Sequence, residues 1–229
     1  MSALAVRLPT LHPEGRMPAI GAAALGVLGL LTGLEVFFVL GVGAAIFITL
    51  ASRAPLRTVP VDDRLVLAPV DGIIESVDEN AGIPSELGLS GQAARIRIGT
   101  APWAPAPIRA PGEARLTQKV VRPGAPYVFA TDADDPTLSR TYVRLETDTA
   151  TIGLVFASGG FGPRTFIDAN EGDTVGTGAT MGHRRFGGWC DIYVQGDNTI
   201  EAVAGQTMIA GETVMAVAGV GDKPSTLVR

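Results

Sequence analysis

The chain has 229 residues, a formal net charge of −5 and only 18% charged residues. A length of this order accommodates about one core of 100–200 residues beside an N-terminal extension, and the charge balance excludes a broad basic surface for nucleic acid. Its single cysteine, Cys190, excludes an intrachain disulfide framework and gives no zinc motif.

An N-terminal tail, residues 1–16, carries Arg7, His12 and Arg16. Residues 17–50 then hold one ionisable side chain, Glu35, among Leu, Val, Ile, Phe, Ala and Gly, too apolar for a solvated helix. As one straight helix at ~1.5 Å per residue this stretch would be about 50 Å long, against a hydrocarbon thickness of ~30 Å. Two arms of about 25 Å meeting around Gly33-Leu34-Glu35 suit a tight transmembrane hairpin, with Glu35 near the far interface. Arg7 and Arg16 before the stretch, and Arg53 and Arg57 after it, favour both ends on the cytoplasmic side. A single long tilted helix is the alternative. A cleaved signal peptide fits less well, because the apolar run is too long and lacks a small-residue cleavage site.

Residues 51–62 read as a linker, since Pro55 and Pro60 prevent a continuous helix. From 63 to 220 the pattern becomes short β-rich runs between glycine, proline and acidic residues, with strands expected at 65–70, 72–77, 94–98, 114–121, 141–146, 151–157, 190–194 and 213–218. A C-terminal tail, 221–229, follows. Two segments of the β region share the pattern Gly-x-x-hydrophobic-x-x-Gly: Gly172 to Gly178 around Val175, and Gly205 to Gly211 around Met208. Flanking glycines permit tight corners while the apolar residue turns inward. Such repeats resemble the hammerhead turns of lipoyl-like barrel-sandwich folds. A lipoyl or biotinyl carrier is excluded, because neither Lys119 nor Lys223 sits in a Met-Lys turn.

Four ordered motifs add a family. Leu67-Ala68-Pro69-Val70-Asp71-Gly72, Arg109-Ala110-Pro111-Gly112, Glu171-Gly172-Asp173 through Gly182, and Arg185-Phe186-Gly187-Gly188 followed by Asp191-Ile192-Tyr193-Val194 resemble segments of the phosphatidylserine decarboxylases. The linker residues Arg53, Pro55, Arg57 and Pro60 and the later run Ala210-Gly211-Glu212-Thr213-Val214 match as well. The resemblance implies a mostly β, barrel-sandwich decarboxylase-type domain behind a transmembrane helical hairpin. In that family an Arg-Phe-Gly-Ser run cleaves itself between glycine and serine, and the serine becomes a pyruvoyl group. An aspartate and a histidine complete the processing triad, and the aspartate corresponds to Asp71.

The departures are chemical. Gly187 is retained, but the serine position is Gly188, which has no hydroxyl to attack the preceding carbonyl. The histidine position, three residues before Arg109, is Ala106, which cannot act as a base. Only Arg140 stands where the family has a Glu-Asn-Glu-Arg stretch. The resemblance therefore implies no pyruvoyl cofactor here and an accessory or scaffold role in a membrane protein assembly. The expected partners are membrane lipids and a larger complex, without nucleic acid or metal, at the cytoplasmic face of a bacterial inner membrane. An active decarboxylase of phosphatidylethanolamine synthesis, and a non-catalytic binder of phospholipid headgroups through Arg109 or Arg164, are the alternatives.

Plainer readings stand beside these. Asp71 before Gly72 reads as the turn of a tight hairpin, His183 as a solvated turn residue, and Cys190 as a buried small hydrophobe. Trp103 and Trp189 fit either a core or a headgroup layer.

Overall fold

The computed structural model describes residues 10–124, 132–158 and 164–219, which fall into two compact units.

The first unit holds residues up to Leu56 together with Trp103–Ala106. Strand β1 (Thr10–Leu11) leads into helix α1 (Pro13–Thr32), followed by α2 (Glu35–Ala51) and β2 (Arg53–Ala54). Proline opens α1 at its first turn, where the missing N–H costs nothing, and Gly33 closes it in the left-handed conformation at φ 72°. The turn is completed by the Leu34 N–H donating to the Gly29 carbonyl over 2.9 Å. The helices fold back on each other, and β1 pairs antiparallel with β2 at their base. Glycine makes the close approach possible: a Cβ on Gly41 would lie 2.4 Å from the Gly26 nitrogen. The outer surfaces are apolar and exposed, including Leu31, Val36, Val39 and Leu40. The two helices cover the apolar stretch 17–50, with a turn at Gly33-Leu34 between them and the second helix running to Ala51. Helix α1 is long and apolar enough to cross a membrane, whereas α2 is shorter at 17 residues.

The second unit, Arg57–Pro102 with Pro107 onward, is mostly β, as the residue pattern indicates. Its strands are β3 (Leu65–Leu67), β4 (Gly72–Gly82), β5 (Gln92–Thr100), β6 (Pro107–Arg109), β7 (Ala114–Arg122), β8 (Ser139–Glu146), β9 (Thr151–Ser158), β10 (Thr165–Ile167), β11 (Thr174–Val175), β12 (Thr180–Arg184), β13 (Gly188–Gln195), β14 (Asn198–Ile200), β15 (Thr207–Met208) and β16 (Val214–Ala218). All eight expected strands coincide with one of these. An antiparallel sheet of order β11-β7-β8-β9-β13-β5-β4-β15 is joined by two three-stranded sheets, β10-β12-β6 and β14-β16-β3. Ile74, Ile96, Ile98, Ile108, Leu116, Leu145, Leu154, Phe156, Met181 and Ile192 fill the core.

The two glycine repeats form the two edges of the large sheet and are held by the same bonds. Gly172 N–H donates to Leu116 O and Leu116 N–H returns to Asp173 O; Gly205 N–H donates to Ile74 O and Ile74 N–H returns to Gln206 O. Gly178 N–H meets Ala110 O as Gly211 N–H meets Ala68 O. Met208 is buried and Val175 packs against the core from its margin, so the apolar residue of each repeat does turn inward.

Candidate functional site

The segment 185–187 carries the chain out of β12, in one of the small sheets, into β13 at the centre of the large one. Three consecutive residues make this corner with positive φ: Phe186 at 57°, Gly187 at 71° and Gly188 at 111°. Only glycine adopts the last of these without strain. Gly188 pairs with Thr100 of β5. A Cβ built on it would stand 2.6 Å from the Ala157 carbonyl oxygen and 3.4 Å from the Ser158 Cβ. On Gly187 it would stand 2.3 Å from the Thr100 carbonyl oxygen. Outside the corner the Arg185 guanidinium stacks on Phe166 at 4.7 Å and that of Arg164 lies over Phe186 at 5.8 Å. The Arg185 N–H donates to the Arg164 carbonyl.

Asp71 lies at the bend between β3 and β4, and the tight-hairpin reading fails there. These strands enter different sheets, so the bend exists to pass the chain between layers. Both carboxylate oxygens are engaged: Oδ2 with Arg57 Nη2 at 2.5 Å, and Oδ1 accepting the Ala210 N–H at 2.7 Å. Its backbone carbonyl accepts from Thr100 Oγ1 at 2.9 Å. Thr100, the pairing partner of Gly188, therefore ties the aspartate bend to the glycine corner. Asp71 is built here as an ion-paired brace, and the motif residue Arg57 is its partner. That partnership joins residues 14 positions apart and gives no periodic signal.

Ala106 immediately precedes β6; its N–H donates to the Arg53 carbonyl within the first unit, over 3.3 Å. Arg109 donates from Nη1 to the Gly178 carbonyl at 2.8 Å, and burial, then Arg57, lowers its pKa. Arg164 is half-buried and likewise lowered by burial. These two arginines are not brought together. Arg109 pairs opposite Thr180 and the residue after Arg164 opposite Arg184, a separation of about 13 Å along β12 at ~3.3 Å per residue. Arg140 binds the Ala133 and Asp135 carbonyls.

His183 departs from its expected solvated turn. It lies inside β12, flanked by β10 and β6, 5% exposed, with its ring stacked on Phe166 at 4.8 Å and Nδ1 3.7 Å from Asp168 Oδ2. Cys190 is fully buried as expected, and desolvation raises its thiol pKa so that it stays protonated. Trp189 donates from Nε1 to Glu75 Oε1, and Trp103 is exposed. Sequence reasoning missed Arg184, the residue before the corner, which is 3% exposed. A basic residue in a polar run gives no hint of burial. Among the described residues no cluster of His, Cys, Asp and Glu is arranged for a metal ion.

A β domain edged by paired glycine turns, with an Arg-Phe-Gly corner braced against an aspartate bend, defines the class. The family profile for phosphatidylserine decarboxylase matches residues 107–216. Relatives named phosphatidylserine decarboxylase proenzyme include those of Xanthobacter autotrophicus, 32% identical over 91% of this chain and 89% of the relative, and Ruegeria pomeroyi, 32% over 91% and 95%. That of Granulibacter bethesdensis is 34% identical over 90% of this chain and 84% of its own length. No solved structure matches the chain. The chain belongs to the phosphatidylserine decarboxylase family. That family depends on a pyruvoyl group formed from a serine of the proenzyme. The residue aligned with that serine by the corner motif, Gly188, does not fit the group: it lacks the hydroxyl, and its backbone has no space for the carbon that would bear one.

Proposed function

We propose that this chain is a membrane-anchored member of the family that no longer processes itself, carries no pyruvoyl group, and serves as an accessory or scaffold subunit of a membrane protein assembly. The observation that carries this reading is Gly188, whose φ of 111° and whose 2.6 Å approach to the Ala157 oxygen suit glycine alone. Asp71 supports it, because both carboxylate oxygens are occupied by Arg57 and Ala210. The matched pair of glycine turns supports the barrel-sandwich architecture. The apolar exposed surface of α1 and α2 supports a transmembrane hairpin, and the arginines at its two ends support a cytoplasmic β domain.

The competing reading, an active decarboxylase, is favoured by the names and near-full-length similarity of the relatives. Intact-mass measurement of the purified chain with and without hydroxylamine decides between them. One species at 23.6 kDa without a reactive ketone is expected. Two fragments meeting near Gly187, the second blocked by a carbonyl group, would establish the enzyme instead. Purification in mild detergent tests the assembly role, for which co-migrating membrane proteins are expected; a chain that always migrates alone contradicts it.

A further inference from the structure

The large sheet is covered along only part of its β4 margin. Strand β15 pairs with Gly72 and Ile73, and the Gly205-Gln206 turn holds Ile74. From Glu75 to Gly82, β4 has β5 on one side and, among the described residues, no strand on the other. Facing it is β14, itself the edge of a three-stranded sheet, whose one strand partner is β16. Two cavities that share Glu79 and Ile200 lie between these margins, one of about 450 Å³ and one of about 260 Å³. Their lining is acidic at Glu79, Asp197 and Glu201, apolar at Val77, Ile200 and Ala202, and among the described residues includes no lysine or arginine. Asn198 lines the larger cavity, and its side-chain oxygen and nitrogen are both buried without a hydrogen-bond partner.

An uncovered strand edge offers main-chain donors and acceptors to an extended segment, and the walls beside it select the side chains that segment carries. Successive side chains of a strand point to opposite faces, so a segment alternating apolar residues with lysine or arginine sets one face on Val77, Ile200 and Ala202 and the other against the three carboxylates. We propose that the uncovered edge of β4, with the groove walled by 196–204, receives an extended basic segment of a partner protein as an added strand. Its main chain also brings an N–H and a C=O to the unsatisfied amide of Asn198. A second copy of this chain is excluded from the groove, because it presents the same carboxylates and like charges repel across a strand pair. The bulges of β4 between Ile74 and Ser76 and between Asp78 and Ala81 keep regular pairing short, so the acidic and apolar walls carry the specificity. The groove reaches Val194, six residues along β13 from Gly188 and about 20 Å away at ~3.3 Å per residue. It goes beyond the scaffold reading by naming the chemistry of the partner, and it does not depend on whether the chain is processed.

The test is fluorescence anisotropy of a dye-labelled, end-capped peptide of alternating lysine and valine, titrated with the full chain in a neutral detergent at constant ionic strength. Saturable binding is expected. A glutamate-valine peptide of the same length should bind at least tenfold more weakly, as should a lysine-valine peptide N-methylated at every residue, which keeps the charge but loses its main-chain donors. The combined variant Asp197→Lys and Glu201→Lys should reverse the preference between the two charged peptides. The assignment is overturned if the lysine-valine peptide does not bind, or if the N-methylated peptide binds equally well, which would reduce the groove to a patch of charge. Should the variant not fold, the N-methylated peptide on the wild type is decisive. Binding that appears only after residues 221–229 are deleted would make the chain's own C-terminus the occupant and overturn the assignment to a partner.

Discussion

At the scale of single residues, the corner makes a prediction that a missing hydroxyl alone would not. Were the hydroxyl the sole deficit, Gly188→Ser would restore processing. The positive φ and the Ala157 oxygen instead predict that Gly188→Ser stays uncleaved and loses about 1–3 kcal/mol of stability from backbone strain, more if the contact is not relieved. Intact mass and denaturant unfolding of the variant check both halves; self-cleavage at 187–188 would refute the structural account. Asp71 behaves as a brace, so Asp71→Ala should cost about 2 kcal/mol by leaving Arg57 without its partner. A double-mutant cycle with Arg57→Ala should show strong coupling, and additive losses would show that the pair contributes nothing.

Single strands and helices divide into those the sequence announces and those it does not. Most of the eight expected strands run eight residues or more and are alternating or β-branched, which makes them legible, and the short β3 and β16 show through their Leu-Val-Leu and Val-Met-Ala-Val runs. Strands β6, β10, β12 and β14 span only three to five residues, too few to display a period, so their neighbours and not their composition define them. His183 departs from its expected solvated turn for that reason: its strand is closed in by partners 15 and more residues away in sequence. The helical turn was legible from Gly33 and Glu35, yet the close contact of Gly26 with Gly41 was not, since glycines are scattered throughout both helices. Gly41→Leu should force the helices apart, raising amide hydrogen exchange across α1 and α2 while leaving the β unit unchanged; unaltered exchange would contradict the contact. Strands β5 and β13 are clasped by Arg97, which binds Asp191 and Asp134. The Arg97 hydrogen bond lowers the Asp134 pKa. A carboxylate depressed in the folded state stabilises above its unfolded pKa of about 3.9 and loses that contribution as pH falls through the folded value. Asp134→Asn should therefore show less loss of stability below about pH 4 than the wild type in acid titrations. Asp134 is largely exposed, so solvent screening keeps the effect small.

Across the whole molecule, family membership was readable because its motifs recur in order, and the candidate site was readable only as a list of substitutions. Asp71, Gly187 and Gly188 do converge, through Thr100, whereas Arg109 and Arg164 stand at opposite ends of β12. The hairpin reading predicts that fluorescent reporters fused to either end of the chain fluoresce in the bacterial cytoplasm, and that periplasm-dependent reporters at the same ends stay silent. The opposite result at one end would replace the hairpin with a single crossing.

The matched glycine turns have a consequence for life at high local concentration. Each margin of the eight-stranded sheet ends in a two-residue strand, β11 or β15, so the outermost strand on either side is by itself too short to template another chain. In the membrane-anchored reading proposed above, where copies of the domain would meet side by side, such blunt selvedges disfavour edge-to-edge pairing.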